Sequence, residues 1–206
     1  MRCARWNGDP IIELVDPPAP GVFAVDLDDV KGALRIVGTD QDDVLTGFIA
    51  AAVDHFDGYA GELHRALITQ DWLVSVRGAN AEGRIYAPVT PAQSLISVEY
   101  FDPAGDIQTA DLADFTMTTR PDRAYIFPVR GATWPATEAR EDAIMATFRC
   151  GYGATSAAIP ATIRQAIILT VGHLYEHREA STMLKLEFLP LGVASLVSKH
   201  KLWRSV

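Results

Sequence analysis

The chain has 206 residues, 49% of them hydrophobic and 21% charged, the composition of a globular protein long enough to bury a core. Twenty-six acidic against 18 basic residues leave a formal net charge of -8, which excludes the cationic footprint of a protein that wraps nucleic acid. Cys3 and Cys150 stand at no disulfide-framework or metal-site spacing, and no apolar run approaches membrane-spanning length. The expectation is a protein matured in a reducing cytoplasm, with neither a classical export signal nor a bilayer span.

Residues 1–25 hold Pro10, Pro17, Pro18 and Pro20 and lack periodicity, so they read as an extended arm. Asp26 stands where an N-cap would open a short helix over 27–36, with acidic residues in its first turn and Gly38 as its stop. In a second helix over 40–60, Val44, Leu45, Phe48, Ile49, Ala52, Val53 and Phe56 recur at steps of three and four. From about residue 67 to 151 the pattern changes to short strands: ALITQDWLVSV, RIYA, SLISVEYF, DFTMTT, AYIFP and AIMATFRCGY. Turn chemistry separates them at 102–106 and at Arg120-Pro121-Asp122-Arg123. Pro160 opens a third helix over 160–179. Ile163, Ile167, Val171 and Leu174 form its core stripe, while Ile168 and Leu169 fall outside it, so the helix is covered on more than one side and the second cover is a neighbouring subunit. Residues 183–206 read as a tail with Lys199, Lys201, Arg204, Leu202 and Trp203 near its end, a cationic and aromatic set suited either to a partner or to folding back on its own domain. The fold class is therefore α+β: a helical core of about three main helices, a small inserted antiparallel β region, and an extended C-terminal tail. The domain runs over 26–182.

His173, Glu176 and His177 spell H-x-x-E-H, which puts two histidines one helical turn apart and could present both to a zinc ion with Glu176 as general base. A catalytic zinc needs a third protein ligand, yet Glu187 is the one acidic residue after the helix, and Glu176 points away from the core stripe. The pattern reads instead as two histidines flanking a buried stripe. Gly151-Tyr152-Gly153 lacks the lysine of a phosphate loop and reads as the turn from the last strand to the third helix. Asp28-Asp29 and Asp42-Asp43 sit at helix starts, where the dipole accounts for them.

The segments DLDDVKGALRI, ALITQDWLV, SVEYFDPAGD, GATWPA and FRCGYGATSAAIPATIRQAIILTVGHLYEHREA, with a late LPLGVASLV, together resemble the head-to-tail connector (adaptor) proteins of long-tailed phages and gene transfer agents. The resemblance covers about residues 26–200, and Tyr175, Glu176, Arg178 and Glu179 match the family's ending of the third helix, with His177 in its variable position. It implies a non-enzymatic structural protein without a cofactor. Identical subunits, by resemblance twelve, would form a ring beneath the portal protein at the head-tail junction, after assembly in the bacterial cytoplasm. The ring would extend a channel for double-stranded DNA that passes without specific binding. It would also present a surface to a stopper or tail-terminator protein. Carried over residue by residue, Leu191, Leu196, Val197, Lys199, Lys201, Leu202 and Trp203 would hold the portal, and Ile168, Leu169, Tyr175, Glu176 and Arg178 would make subunit contacts. Two alternatives stand beside it: a tail-completion or stopper protein one layer further down, and the zinc metallopeptidase of the H-x-x-E-H reading.

Overall fold

The computed structural model describes residues 10–177 and 191–202. They fall into two compact units, a helical one (18–68, 152–177 and 191–202) and a β one (10–17 and 69–151). Residues 69–151 of the β unit are thus inserted in the sequence of the helical unit, as the change of sequence pattern at about residue 67 suggests, while 10–17 precede it.

In the helical unit, α1 spans Leu27–Leu34, α2 Asp42–Phe56, α3 Ala161–Glu176 and α4 Leu191–Val197. Their apolar stripes converge in one cluster. Val30 of α1, Leu45, Ile49 and Phe56 of α2, Ile163, Ile167 and Val171 of α3, and Val193 and Val197 of α4 are buried in it together with Leu63 and Leu67. The i, i+4 spacing within each helix puts these side chains on one face, and burying them supplies the main favourable term. Lys31 Nζ donates to Asp42 Oδ1 at 2.7 Å and so links α1 to the first turn of α2.

In the β unit, β1 (Ile11–Asp16), β2 (Gln70–Val76), β4 (Ala92–Phe101), β5 (Ile107–Thr109) and β8 (Ile144–Cys150) make an antiparallel sheet in the order β1-β2-β8-β4-β5. A second antiparallel sheet has the order β3-β7-β6, from Ile85–Tyr86, Ala124–Pro128 and Phe115–Thr119. Strand β8 alternates as the pleat requires: Ile144, Ala146, Phe148 and Cys150 are buried and Met145, Thr147 and Arg149 are half-exposed. Directly opposite on β2 stand Val76, Val74, Trp72 and Gln70. On the other face Arg149 forks onto Asp71 with two hydrogen bonds of 2.8 Å across the strand pair. Trp134, in the GATWPA segment, stacks on Phe115 with ring centroids 4.9 Å apart and donates its indole N–H to the carbonyl of Gly83 at 2.9 Å.

Several expectations are refined. Residues 11–16 are extended, but as strand β1 on the edge of the five-stranded sheet, because Ile12 and Leu14 find Val74 and Trp72 across the pair. Helix α1 ends at Arg35 in the left-handed region, two positions before Val37 and ahead of Gly38. Asp26 occupies the N-cap position with an extended backbone, yet its carboxylate makes no capping bond and accepts from Ser156 Oγ instead. All three long helices are shorter than their apolar patterns suggest. Among the described residues the β region has eight strands in two antiparallel sheets. Of the C-terminal tail, residues 191–197 are helix α4, packed into the helical core and not extended, since Val193 and Val197 share one face of it.

Candidate functional site

Two features of the helical unit stand out. The first is a shallow groove, part aliphatic and part polar, between the end of α1 and the outer side of α3. Ala33 and Leu34 form one wall; Gln165, Ile168, Leu169, Gly172, His173 and Glu176 form the other. The helices approach closely because Gly172 has no side chain: a Cβ there would come within 3.3 Å of Leu34 Cδ2. Leu169 is 40% exposed and Glu176 is exposed, while Ile168 is half-buried against the core cluster. The exposed Leu169 beside Ala33, Leu34 and Ile168 is an apolar surface of the kind that protein contacts cover.

Tyr175, expected at a subunit contact, is half-buried in its own unit and donates its hydroxyl to Gln41 Oε1 at 3.2 Å. Arg178 lies outside the described residues. The rings of His173 and His177 lie 4.4 Å apart, and His177 Nδ1 is 3.0 Å from the carbonyl oxygen of His173. Among the described residues no three His, Cys, Asp or Glu side chains come together as a set that could hold a metal ion.

The second feature is the end of α4. Of the residues assigned to portal docking, Val197 is buried, Leu196 is half-buried against the core, and Lys199 is exposed. Lys201 Nζ donates to Glu62 Oε1 at 2.6 Å, and the backbone N–H of Leu202 donates to the carbonyl of Leu63 at 3.2 Å. Leu191 begins α4, its side chain is not among those described, and Trp203 lies outside the described residues. His200 is held on both sides: Arg65 Nε donates to its carbonyl oxygen at 2.5 Å, and its ring Nε2 is 2.8 Å from Thr162 Oγ1. Burial, then the charges of Lys199 and Arg65, hold the His200 imidazole below the usual histidine range. The loop that makes these contacts is tightly built, since a Cβ at Gly61 would stand 2.1 Å from the carbonyl oxygen of Asp57.

Sequence reasoning missed Glu62, Arg65, Thr162 and Val193. For Val193 the signal was present as the four-residue step to Val197. The other three are paired across 38 to 139 positions, which no local pattern reports.

Residues 24–111 match the model of the family described as phage gp6-like head-tail connector protein. Over that span, a little under half of the chain, the sequence is similar to this connector family. The match takes in α1, α2 and strands β2 to β5. No curated protein sequence matches the chain. Among solved structures, the fold is similar to a chain in the neck of an empty gene transfer agent particle computed with C6 symmetry, with a TM-score of 0.75 and 19% identity. It is also similar to a chain in the virion of a native gene transfer agent particle, with a TM-score of 0.76 and 20% identity. A chain in the neck of a native particle computed with C12 symmetry gives 0.68 and 20%. Each comparison covers 95% of this chain and 97% of the other. The fold of this chain is therefore similar to that of the neck chains over nearly its full length.

Proposed function

We propose that this chain is a non-enzymatic subunit of the head-tail junction of a tailed phage or gene transfer agent particle. Identical copies form a ring beneath the portal that carries the DNA channel toward the tail. The observation that supports this most is the fold likeness over 95% of this chain and 97% of neck chains, together with the connector-family match over 24–111. The C6 and C12 symmetry of those necks favours a closed ring of copies, twelve in the simplest case.

A ring needs a heterologous contact, one patch meeting a different patch on the next copy. The outer side of α3, with Leu169, Ile168 and Glu176 beside the α1 groove, is the best-built candidate for one such patch. The C-terminal segment around Leu196 to Leu202 is assigned to the portal, and ring symmetry multiplies each weak contact into avidity. The net charge of -8 gives the channel a surface that repels phosphates and lets DNA slide. The opposite end of the ring is left to a stopper or tail-terminator protein.

The native mass of the purified chain mixed with portal rings tests this. Whole-ring increments on the portal are expected. A chain that stays monomeric and never joins the portal overturns the proposal.

A further inference from the structure

Four contacts fasten the end of α4 to the 57–68 loop and to the first turn of α3: Arg65 to the His200 carbonyl, Lys201 to Glu62, Leu202 to Leu63, and His200 to Thr162. The loop side is preformed, because Gly58 N–H donates to the Arg65 carbonyl at 2.7 Å and Leu67 N–H donates to Asp57 Oδ1 at 2.6 Å. Behind the clasp lie Val193 and Val197, 0% and 3% exposed, in the same core cluster as Leu63, Ile163 and Ile167. Val193, Leu196 and Val197 of this segment are therefore already packed against the core of their own unit.

We propose that this clasp is an autoinhibitory contact: while it is closed, the free subunit keeps Val193, Leu196 and Val197 against its own core, and full engagement of the portal requires α4 to be released. The inference rests on the reading of residues 191–202 as the portal-docking segment. A closed majority lowers the apparent affinity by the fraction of subunits that are open, and it keeps an aliphatic surface from being displayed by subunits away from a head. Portal contact then repays the exposure of the two valines and Leu196 at the place of assembly. The clasp suits this role: one backbone hydrogen bond, one surface ion pair and two bonds to His200 hold it, each weak enough to be exchanged for a partner's.

The test uses the full chain, purified portal rings as the probe, and two variants outside the docking set. Glu62→Lys repels Lys201, and Thr162→Val removes the hydroxyl beside His200. Amide exchange at Lys201 and Leu202 reports opening, and thermal unfolding confirms that each variant is folded. Faster exchange together with about three- to tenfold tighter portal binding in either variant is the expected result. Faster exchange with unchanged or weaker binding overturns autoinhibition while leaving portal docking intact. Unchanged exchange in both variants overturns the clasp as what holds α4. No portal binding by the unmodified chain or by either variant overturns the docking reading, and the inference with it.

Discussion

Ser156 Oγ donates to Asp26 Oδ2 at 2.8 Å, joining the start of α1 to the turn before α3 across 130 residues of sequence. Ser156 is buried and Asp26 is exposed, so the two ends of this bond are not equivalent. Ser156→Ala frees a carboxylate that water can solvate and costs about 0.5–1 kcal/mol, whereas Asp26→Ala strands a buried hydroxyl and costs about 1–2 kcal/mol. Urea unfolding of the two variants checks the order.

The same pair marks how far the sequence could be read. Asp26 was legible as the residue before a helix, because a short acidic side chain in front of an apolar stripe has few other uses. What its carboxylate bonds to was not, since the partner lies beyond the whole β insertion. The stripes of α2 and α3 and the alternation of β8 were legible because burial on one face writes a period into the chain. Strand β1 was not, because four prolines surround a strand whose outer face is exposed and whose pairing partner is about sixty residues away. For the candidate site, Leu169 was marked by standing off the core stripe. The clasp at Arg65 and His200 joins loop residues, and loops carry no period.

Burial, with the Asp71 charge as a smaller contribution, pushes the Cys150 thiol up to about 12 from its ordinary 9.0. The native protein at pH 8 therefore leaves Cys150 unalkylated by iodoacetamide over a time in which urea-unfolded chain reacts fully, as peptide mass mapping will read. The sign for stability follows from linkage. Above about pH 9 the unfolded thiol loses its proton and the folded one keeps it, so the contribution of Cys150 is complete below pH 9 and declines as pH rises toward 12.

His200 titrates in the opposite sense. Its folded value lies below the ordinary histidine value of about 6.5, with Arg65 on the loop side and Lys199 on its own segment opposing a further positive charge. Released α4 and the unfolded chain take up a proton first as pH falls through this region. The protection factors of the Lys201 and Leu202 amides, each taken against the intrinsic exchange rate at that pH, should therefore fall as the pH is lowered from 7 to 5, and His200→Gln should flatten that dependence.

Ile167 and Leu169 are two positions apart on α3 with opposite surroundings, one wholly buried and the other 40% exposed. Ile167→Ala empties part of the core and costs about 2–5 kcal/mol. Leu169→Glu changes unfolding by no more than about 0.5 kcal/mol, the range of surface substitutions, yet places a charge on the proposed ring contact and lowers ring yield on portal at least tenfold. Denaturant unfolding beside native mass measurement separates the two effects.

The central claim is that copies of this chain join heads to tails. Electron microscopy of particles assembled with and without the chain tests it most directly. DNA-filled heads and separate tails are expected when the chain is missing, and a ring of this fold between portal and tail when it is present. Normally joined heads and tails in particles that lack the chain would contradict it.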